Sequence, residues 1–439
     1  MAKLALDDYP GRYQLVNELH ARPFPELAAP CRAALLAIKQ PEGAAERDRS
    51  ADLAHLTALL DRFGAPHPAP GASHYSGRIG KALLTWEMHT EFVTYTIFSE
   101  QARGEPFSDE AFRLYPEDWL AEGPGRVVTS CLLWVQPATA VEAEALLEDE
   151  FPHWFVQESM AVSRVAEGDA VVAGDFRIDP NGHSRFAVLC RPDIHPRRLG
   201  RIVQRLLEVE IYKSMAMLTL PRAREVAGAV VRLDHALSDI VAGMAAVDGH
   251  DAGTLDRLLE MSAEIAHLSS TSAFRFGAAG AYETIVHQRV QVLREERLGG
   301  RQIFAEFMLR RFDPAMRTCR SAQARLAELS GRAERAANLL RTRVDVANQA
   351  QNVEVLRQMD RRAALQLRLQ ETVEGLSVVA ISYYALNLAG GLLAPVAGPA
   401  GLGEAELLAL LTVPVVLLVW LLVRRIRTRI AHRGDDRRG

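Results

Sequence analysis

Gly375-Leu-Ser-Val-Val-Ala-Ile-Ser-Tyr-Tyr-Ala-Leu-Asn-Leu-Ala-Gly-Gly-Leu-Leu-Ala-Pro-Val396 opens a run of 29 residues, between Glu374 and Glu404, that carries no charge. A second uncharged run, residues 407–423, follows after Ala405 and Glu406. An α-helix needs about 20 residues to cross about 30 Å of hydrocarbon. The two runs therefore read as transmembrane helices over 376–395 and 407–423, joined by an external loop over 396–406. The alternative is a buried helical hairpin of a soluble protein; the two lengths and the arginines that follow favour the bilayer.

Orientation comes from the basic residues. The loop 396–406 holds no Lys or Arg, whereas the tail 424–439 carries Arg424, Arg425, Arg427, Arg429, Arg433, Arg437 and Arg438. The positive-inside rule puts that tail in the cytoplasm, where each basic residue near anionic lipid contributes about 1 kcal/mol. An even number of spans puts the preceding body on the same side. The start, Met-Ala-Lys-Leu-Ala-Leu-Asp-Asp8, has neither a basic n-region nor an apolar h-region. The expectation is a multi-pass protein of a bacterial inner membrane with both termini cytoplasmic.

Composition fits a globular body with an apolar end. The 439 residues are 49% hydrophobic with a net charge of -4, which points to no nucleic-acid partner. Cys31, Cys131, Cys190 and Cys319 lie far apart and form no CxxC pair, so they read as reduced core residues.

Residues 1–221 read as an α/β domain. Strand-like runs occur at 83–86, 92–98, 127–135, 170–178 and 185–190, and Asp179-Pro-Asn-Gly182 between the last two has the Asn-Gly of a tight hairpin. Helical patterns occur at 51–62 and 138–149, and again where Leu199, Ile202, Val203, Leu206 and Leu207 share a face, with Pro221 closing that region. Residues 222–312 read as helical, with breaks at Ala252-Gly253 and Gly277–Gly280. Asp313-Pro314 then reads as an N-cap and first-turn pair that starts a stalk helix over 313–375, a rod of about 90 Å for roughly 60 residues. Its apolar positions, from Leu326, Leu329, Ala333, Ala336 and Leu340 to Val344, Ala347, Ala350 and Val353, form a coiled-coil-like stripe. Such a stripe calls for neighbouring helices, from the same chain or from identical subunits.

Four strings, Asn17-Glu-Leu-His-Ala-Arg-Pro-Phe24, Trp86-Glu-Met-His-Thr-Glu-Phe92, Asp175-Phe-Arg-Ile-Asp179 and Ser377-Val-Val-Ala-Ile-Ser-Tyr-Tyr384, resemble those of a bacterial family of membrane-anchored proteins known only as a domain of unknown function. The resemblance covers nearly the whole chain and brings no activity with it. The layout is also similar to that of the CorA-type cation transporters: a cytoplasmic α/β domain, a long stalk helix running into the first span, a short external loop and a basic tail. That likeness implies a homo-oligomer, a pentamer by analogy, with first spans lining a cation pathway. CorA-type proteins carry Gly-Met-Asn at the outer end of that span. This chain has Asn387-Leu-Ala-Gly-Gly391 near the corresponding place instead.

The first span holds the most suggestive chemistry. Ser382, Tyr383, Tyr384 and Asn387 are polar where lipid favours apolar side chains, and such groups face a helix interface or an aqueous path. Ser377, Tyr384 and Gly391 fall on one heptad-spaced stripe, with Tyr383 and Asn387 one turn apart beside it. These five are the candidate pore-lining residues. The plainer reading has Asn387 and Ser382 bonding across helices and the tyrosines at an interface. Glu404 and Glu406 would stand at an external mouth, where a ring of copies concentrates cations, and Arg424, Arg425, Arg427 and Arg429 would meet lipid.

Enzyme readings are weaker. His20 with Glu18, and His89 between Glu87 and Glu91, put carboxylates near imidazoles, and Asp175 and Asp179 add two more acids. Alternation along a strand instead places Glu87, His89 and Glu91 together on a solvated side, and the segment Asn17–Pro23 reads as an N-terminal docking element. With no phosphate-binding Gly loop, nucleophile elbow or His-Glu-x-x-His, the sequence points to no enzyme and no cofactor. The expected partners are lipid, further copies of the chain and a cation. The leading function is ion conduction or transport gated by the cytoplasmic domain; the competing one is a non-conducting membrane-anchored scaffold or ligand sensor.

Overall fold

The computed structural model describes residues 6–13, 15–16, 23–100, 104–245, 252–397 and 404–435. The chain divides into two compact units, Met1–Ala337 and Asn338–Gly439.

In the first unit a strand-helix-three-strand pattern occurs twice. β1 (Cys31–Lys39), α1 (Arg49–Arg62), β2 (His74–Ile79), β3 (Ala82–Met88) and β4 (Val93–Glu100) make the first half, followed by the short α2 (Glu117–Ala121). β5 (Arg126–Pro137), α3 (Ala140–Asp149), α4 (Phe151–Trp154), β6 (Ala161–Val165), β7 (Ala170–Gly174) and β8 (Ser184–Cys190) make the second. The strands form one sheet in the order β2-β3-β4-β1-β5-β8-β7-β6, and the two-residue β9 (Glu296–Arg297) pairs with β6 at its edge. The halves meet at the antiparallel β1–β5 pair, with Ala34 opposite Leu132. They differ in one respect: β1 is antiparallel to β4, whereas β5 is parallel to β8. A parallel pair needs a long crossover, and here α3, α4, β6 and β7 supply it.

Central strands are covered on both faces and read as continuous apolar runs. β1, Cys-Arg-Ala-Ala-Leu-Leu-Ala-Ile-Lys, is buried along nearly its whole length. On one face Ala34, Leu36, Trp86, Ile97 and Leu132 pack with Leu56, Leu59 and Leu60 of α1 and Trp119 of α2, while Trp134, Ala187 and Leu189 pack with Leu147 of α3. On the other, α5 (Pro196–Met217) contacts β5 and β8 and buries the expected stripe Leu199, Ile202, Val203, Leu206 and Leu207. Gly200 of α5 is required by close approach: a Cβ there would overlap the Pro25 carbonyl oxygen.

Several sequence expectations need correction. The run at 170–178 stops as a strand at Gly174. Asp179–Gly182 does form a hydrogen-bonded turn, with the Gly182 amide donating to the Asp179 carbonyl at 3.0 Å and the Asp179 amide to the His183 carbonyl at 2.8 Å, but Gly182 alone of that string has a positive φ, +93°, and the turn lies inside a longer connection where Phe176 is also left-handed. The helix expected to close at Pro221 ends slightly earlier, at Met217, and Pro221 lies in the first turn of the next helix, α6 (Thr219–Ala245), where a proline sacrifices no helical hydrogen bond. Gly277 and Gly280 interrupt nothing, since α7 (Ala252–Val292) runs through both.

Nor does Asp313 cap a new helix. α8 (Phe304–Phe307), a π turn over Met308–Phe312 and α9 (Asp313–Ala397) follow one another directly, with Asp313 itself helical at φ −59°, ψ −38°. Within the first unit α9 buries Met316, Cys319, Ala322, Leu326, Leu329, Ala333 and Ala336. Arg320 pairs with Glu283 of α7 and Arg332 with Asp234 of α6. This part of the stripe is thus covered by the same chain. In the second unit Val344 and Val353 are exposed. That unit also holds the helix α10 (Glu404–Asp435), which contains Pro414.

Candidate functional site

Two helical stretches, Phe304–Leu393 and Leu408–Ile426, are long and apolar enough by length and composition to cross a membrane. Only 11% and 6% of their most apolar windows are buried. Within the single chain both windows are therefore mostly exposed.

Inside the second unit the spans approach through small residues. Ser382 and Val419 are buried, and a Cβ on Gly390 would lie 2.9 Å from Cδ2 of Leu408. The polar side chains mostly bond to their own helix: Ser377 Oγ donates to the Val373 carbonyl at 2.8 Å, Asn387 Nδ2 to the Tyr383 carbonyl at 3.1 Å and Thr412 Oγ1 to the Leu408 carbonyl at 2.7 Å. This i to i−4 pattern satisfies the donor without a neighbouring helix. Neither Asn387 nor Ser382 bonds across the hairpin, since the buried Ser382 hydroxyl has no hydrogen-bond partner among the described residues. The plainer sequence reading is corrected on that point.

Of the five candidate pore-lining residues, Ser377 is half-buried, whereas Tyr383, Tyr384, Asn387 and Gly391 are exposed in the single chain. Tyr383 and Tyr384 pack edge to face, 5.9 Å between centroids. Glu406 is exposed; the side chain of Glu404 lies outside the described residues, as do those of Arg427 and Arg429. The Arg424 guanidinium sits 5.1 Å over the Trp420 ring, at the edge of a cleft of about 360 Å³ that Glu371, Glu374 and Arg424 make polar.

The string Trp86–Phe92 holds a second site, which alternation misreads. β3 ends at Met88, and His89–Phe92 turn back so that Glu91 points inward and is fully buried. Arg275 of α7 donates to both its oxygens, at 2.6 and 2.9 Å, Tyr282 donates its hydroxyl at 2.7 Å, and Lys39 Nζ lies 3.6 Å away. Burial pushes the Lys39 ammonium below its usual range against the pull of Glu91, and burial first, then Glu91, holds the Tyr282 phenol far above its usual range. From the other side Arg47 donates to the carbonyls of His89, Thr90 and Phe92 and pairs with buried Asp52 at 2.7 Å. The turn is an ionic joint, with both Glu91 oxygens in use. No nearby sequence signal finds it, because Arg275 lies 184 residues away.

Asp175 and Asp179 serve the backbone. Asp175 accepts from the amides of Val156 and Arg177, and Asp179 from those of Asn181 and His183, so they form no metal or acid–base pair with His89. His20 and Glu18 lie outside the described residues.

A family model for proteins of unknown function matches residues 7–430. The chain belongs to the DUF3422 family. The match takes in the sheet, the Glu91 joint and both apolar helices, so the hairpin is a part of the DUF3422 model and not an appendage of this chain. A comparison with curated proteins finds no match.

Proposed function

We propose that this DUF3422 protein is a multi-pass protein of a bacterial inner membrane, both termini cytoplasmic, in which several copies gather their first spans around a common axis in a CorA-like layout. In this reading the assembly conducts a cation, and the N-terminal body controls it through the helix that continues into the first span. One observation carries the reading: Tyr383, Tyr384 and Asn387 are exposed on the first span, while Ser382 is buried and Gly390 lies against Leu408 of the second. In lipid such polar groups seek a helix interface or water, and copies around an axis supply both.

The test is disulfide cross-linking of Tyr384→Cys in native membranes, together with cation flux into liposomes. Ladders up to a closed ring, with flux, are expected. A species that stays monomeric or dimeric in detergent, without flux, would overturn the reading.

A tethered ligand sensor is the second reading. The Asn387 bond to its own helix supports it, because that amide is satisfied without an ion. Cross-linked oligomers without flux for any cation, in a form with the N-terminal body removed, would favour the sensor.

A further inference from the structure

Glu283 and His287 stand four residues apart on α7 and so share a face, and Asp313 reaches them from the start of α9. One ligand atom from each lies within 4.8 Å of the other two, and His287 Nε2 is 3.3 Å from Asp313 Oδ1. That oxygen is sealed from solvent yet accepts no hydrogen bond. Asp313 is not spent as a helix cap either, since its backbone is helical and continues the π turn Met308–Phe312. π turns recur at functional sites.

We propose that Glu283, His287 and Asp313 form a binding site for a first-row divalent metal ion, Zn²⁺ or Mn²⁺ in kind, and that the ion replaces Arg320 as the partner of Glu283. One imidazole and two carboxylates are a donor set that such ions take, with further positions left to water. Donor atoms stand about 2.0–2.2 Å from zinc, so the three must close by an ångström or two. The site can do this: His287 has 46% of its side chain exposed, and Arg320, which binds both Glu283 oxygens at 2.5 and 2.6 Å, has 56% exposed. Arg320 neutralises one carboxylate of two. A divalent ion neutralises both and satisfies the Asp313 oxygen that Arg320 leaves unbonded. All four residues belong to the first unit, so the inference does not depend on the membrane reading.

The experiment is calorimetric titration of Zn²⁺ and Mn²⁺ into the full-length protein in detergent, with affinity tag and bound metal removed. One ion per chain is expected, with binding weakened about tenfold or more by His287→Ala and by Asp313→Asn, and unchanged by His432→Ala in the basic tail. Arg320→Gln discriminates: by freeing the Glu283 carboxylate it should tighten binding, whereas a purely structural ion-pair network predicts no gain. Added Zn²⁺ should raise the Tm of the wild type and not that of His287→Ala. If Asp313→Asn does not fold, His287→Ala decides, because its side chain is half in solvent. Failure of either ion to bind at millimolar concentration, or equal affinities in wild type and His287→Ala, would overturn the proposal, as would weaker binding in a folded Arg320→Gln variant.

Discussion

Glu91 and Arg275 form a two-point ion pair, at 2.6 and 2.9 Å, with the carboxylate fully buried. It joins the β3–β4 turn to α7. Arg275→Met leaves an acid in the interior with the Tyr282 hydroxyl at 2.7 Å and, as the remaining cation, Lys39 at 3.6 Å. Removing one partner of a buried pair costs about 3–5 kcal/mol, and Lys39 should bring the loss to the lower end. Arg62 and Asp118 make a comparable contact at 2.7 Å on the surface, worth about 0–1 kcal/mol. Urea titrations of Arg275→Met and Arg62→Ala side by side should separate the two; equal losses would show that the joint contributes nothing special.

Acid should weaken the body through His55. Its Nδ1 accepts from the Tyr95 hydroxyl at 2.9 Å and its Nε2 donates to the Trp119 carbonyl at 3.0 Å, and the ring stacks on Trp119 at 4.0 Å. Burial lowers this imidazole from its ordinary 6.5, against the opposing pull of the Trp119 carbonyl and Asp52. Burial lowers His183 likewise. With folded values below the unfolded ones, the unfolded chain binds more protons in the interval. Stability is therefore whole above pH 6.5 and falls as pH drops from there through the folded values. Urea midpoints measured from pH 7.5 to 5 should decline, less so in His55→Gln; a flat profile would refute the assignment.

The orientation can be read with two introduced cysteines, Gly401→Cys and Arg437→Cys. The four native thiols are buried, and burial raises each of them, Cys190 to about 11, so a maleimide at neutral pH should report only the new sites. An impermeant reagent on intact cells should label position 401 and reach 437 only after lysis. The reverse pattern would invert the topology.

Asn387 separates conduction from anchoring. Its amide bonds its own helix, so Asn387→Leu should cost little stability, about 0.6 kcal/mol. A pore role predicts a clear loss of cation flux in liposomes at nearly unchanged Tm. Flux equal in wild type, Asn387→Ala and Asn387→Leu would remove this residue from the pathway, and wild-type protein silent for every cation would move the reading to the tethered sensor.

How legible was this molecule in its sequence? Periodicity gave the α5 stripe from Leu199 to Leu207, the strands β3, β4, β5 and β8, and the two long apolar helices, because each is a local pattern repeated over many residues. β1 escaped: a central strand rich in alanine has neither alternation nor many β-branched residues, so nothing local distinguishes it from a helix. The glycines at 277 and 280 misled because tertiary packing outweighs the roughly 1 kcal/mol that a helical glycine costs. Strand alternation puts Glu91 on a solvated side only if β3 continues through it, whereas Arg47 and Arg275, both distant in sequence, hold a turn there. Asp313 next to Pro314 has the signature of a helix start, which the π turn before it overrides. The polar positions 382–387 are visible as composition; which of them are buried is set by tertiary packing.

The junction of the two half-sheets has a consequence for synthesis. The first half closes on itself once β5 is made, at Pro137, but β5 then presents its free edge until β8 is complete at Cys190, 53 residues later. At about 5–20 residues per second, that edge waits about 3–10 s on the ribosome. An unpaired apolar strand of twelve residues is a template for foreign strands. The nascent chain is therefore most vulnerable to aggregation in that interval, well before either apolar helix has been translated, and slowing translation between codons 138 and 190 should lower the yield of folded protein more than the same delay placed after codon 200.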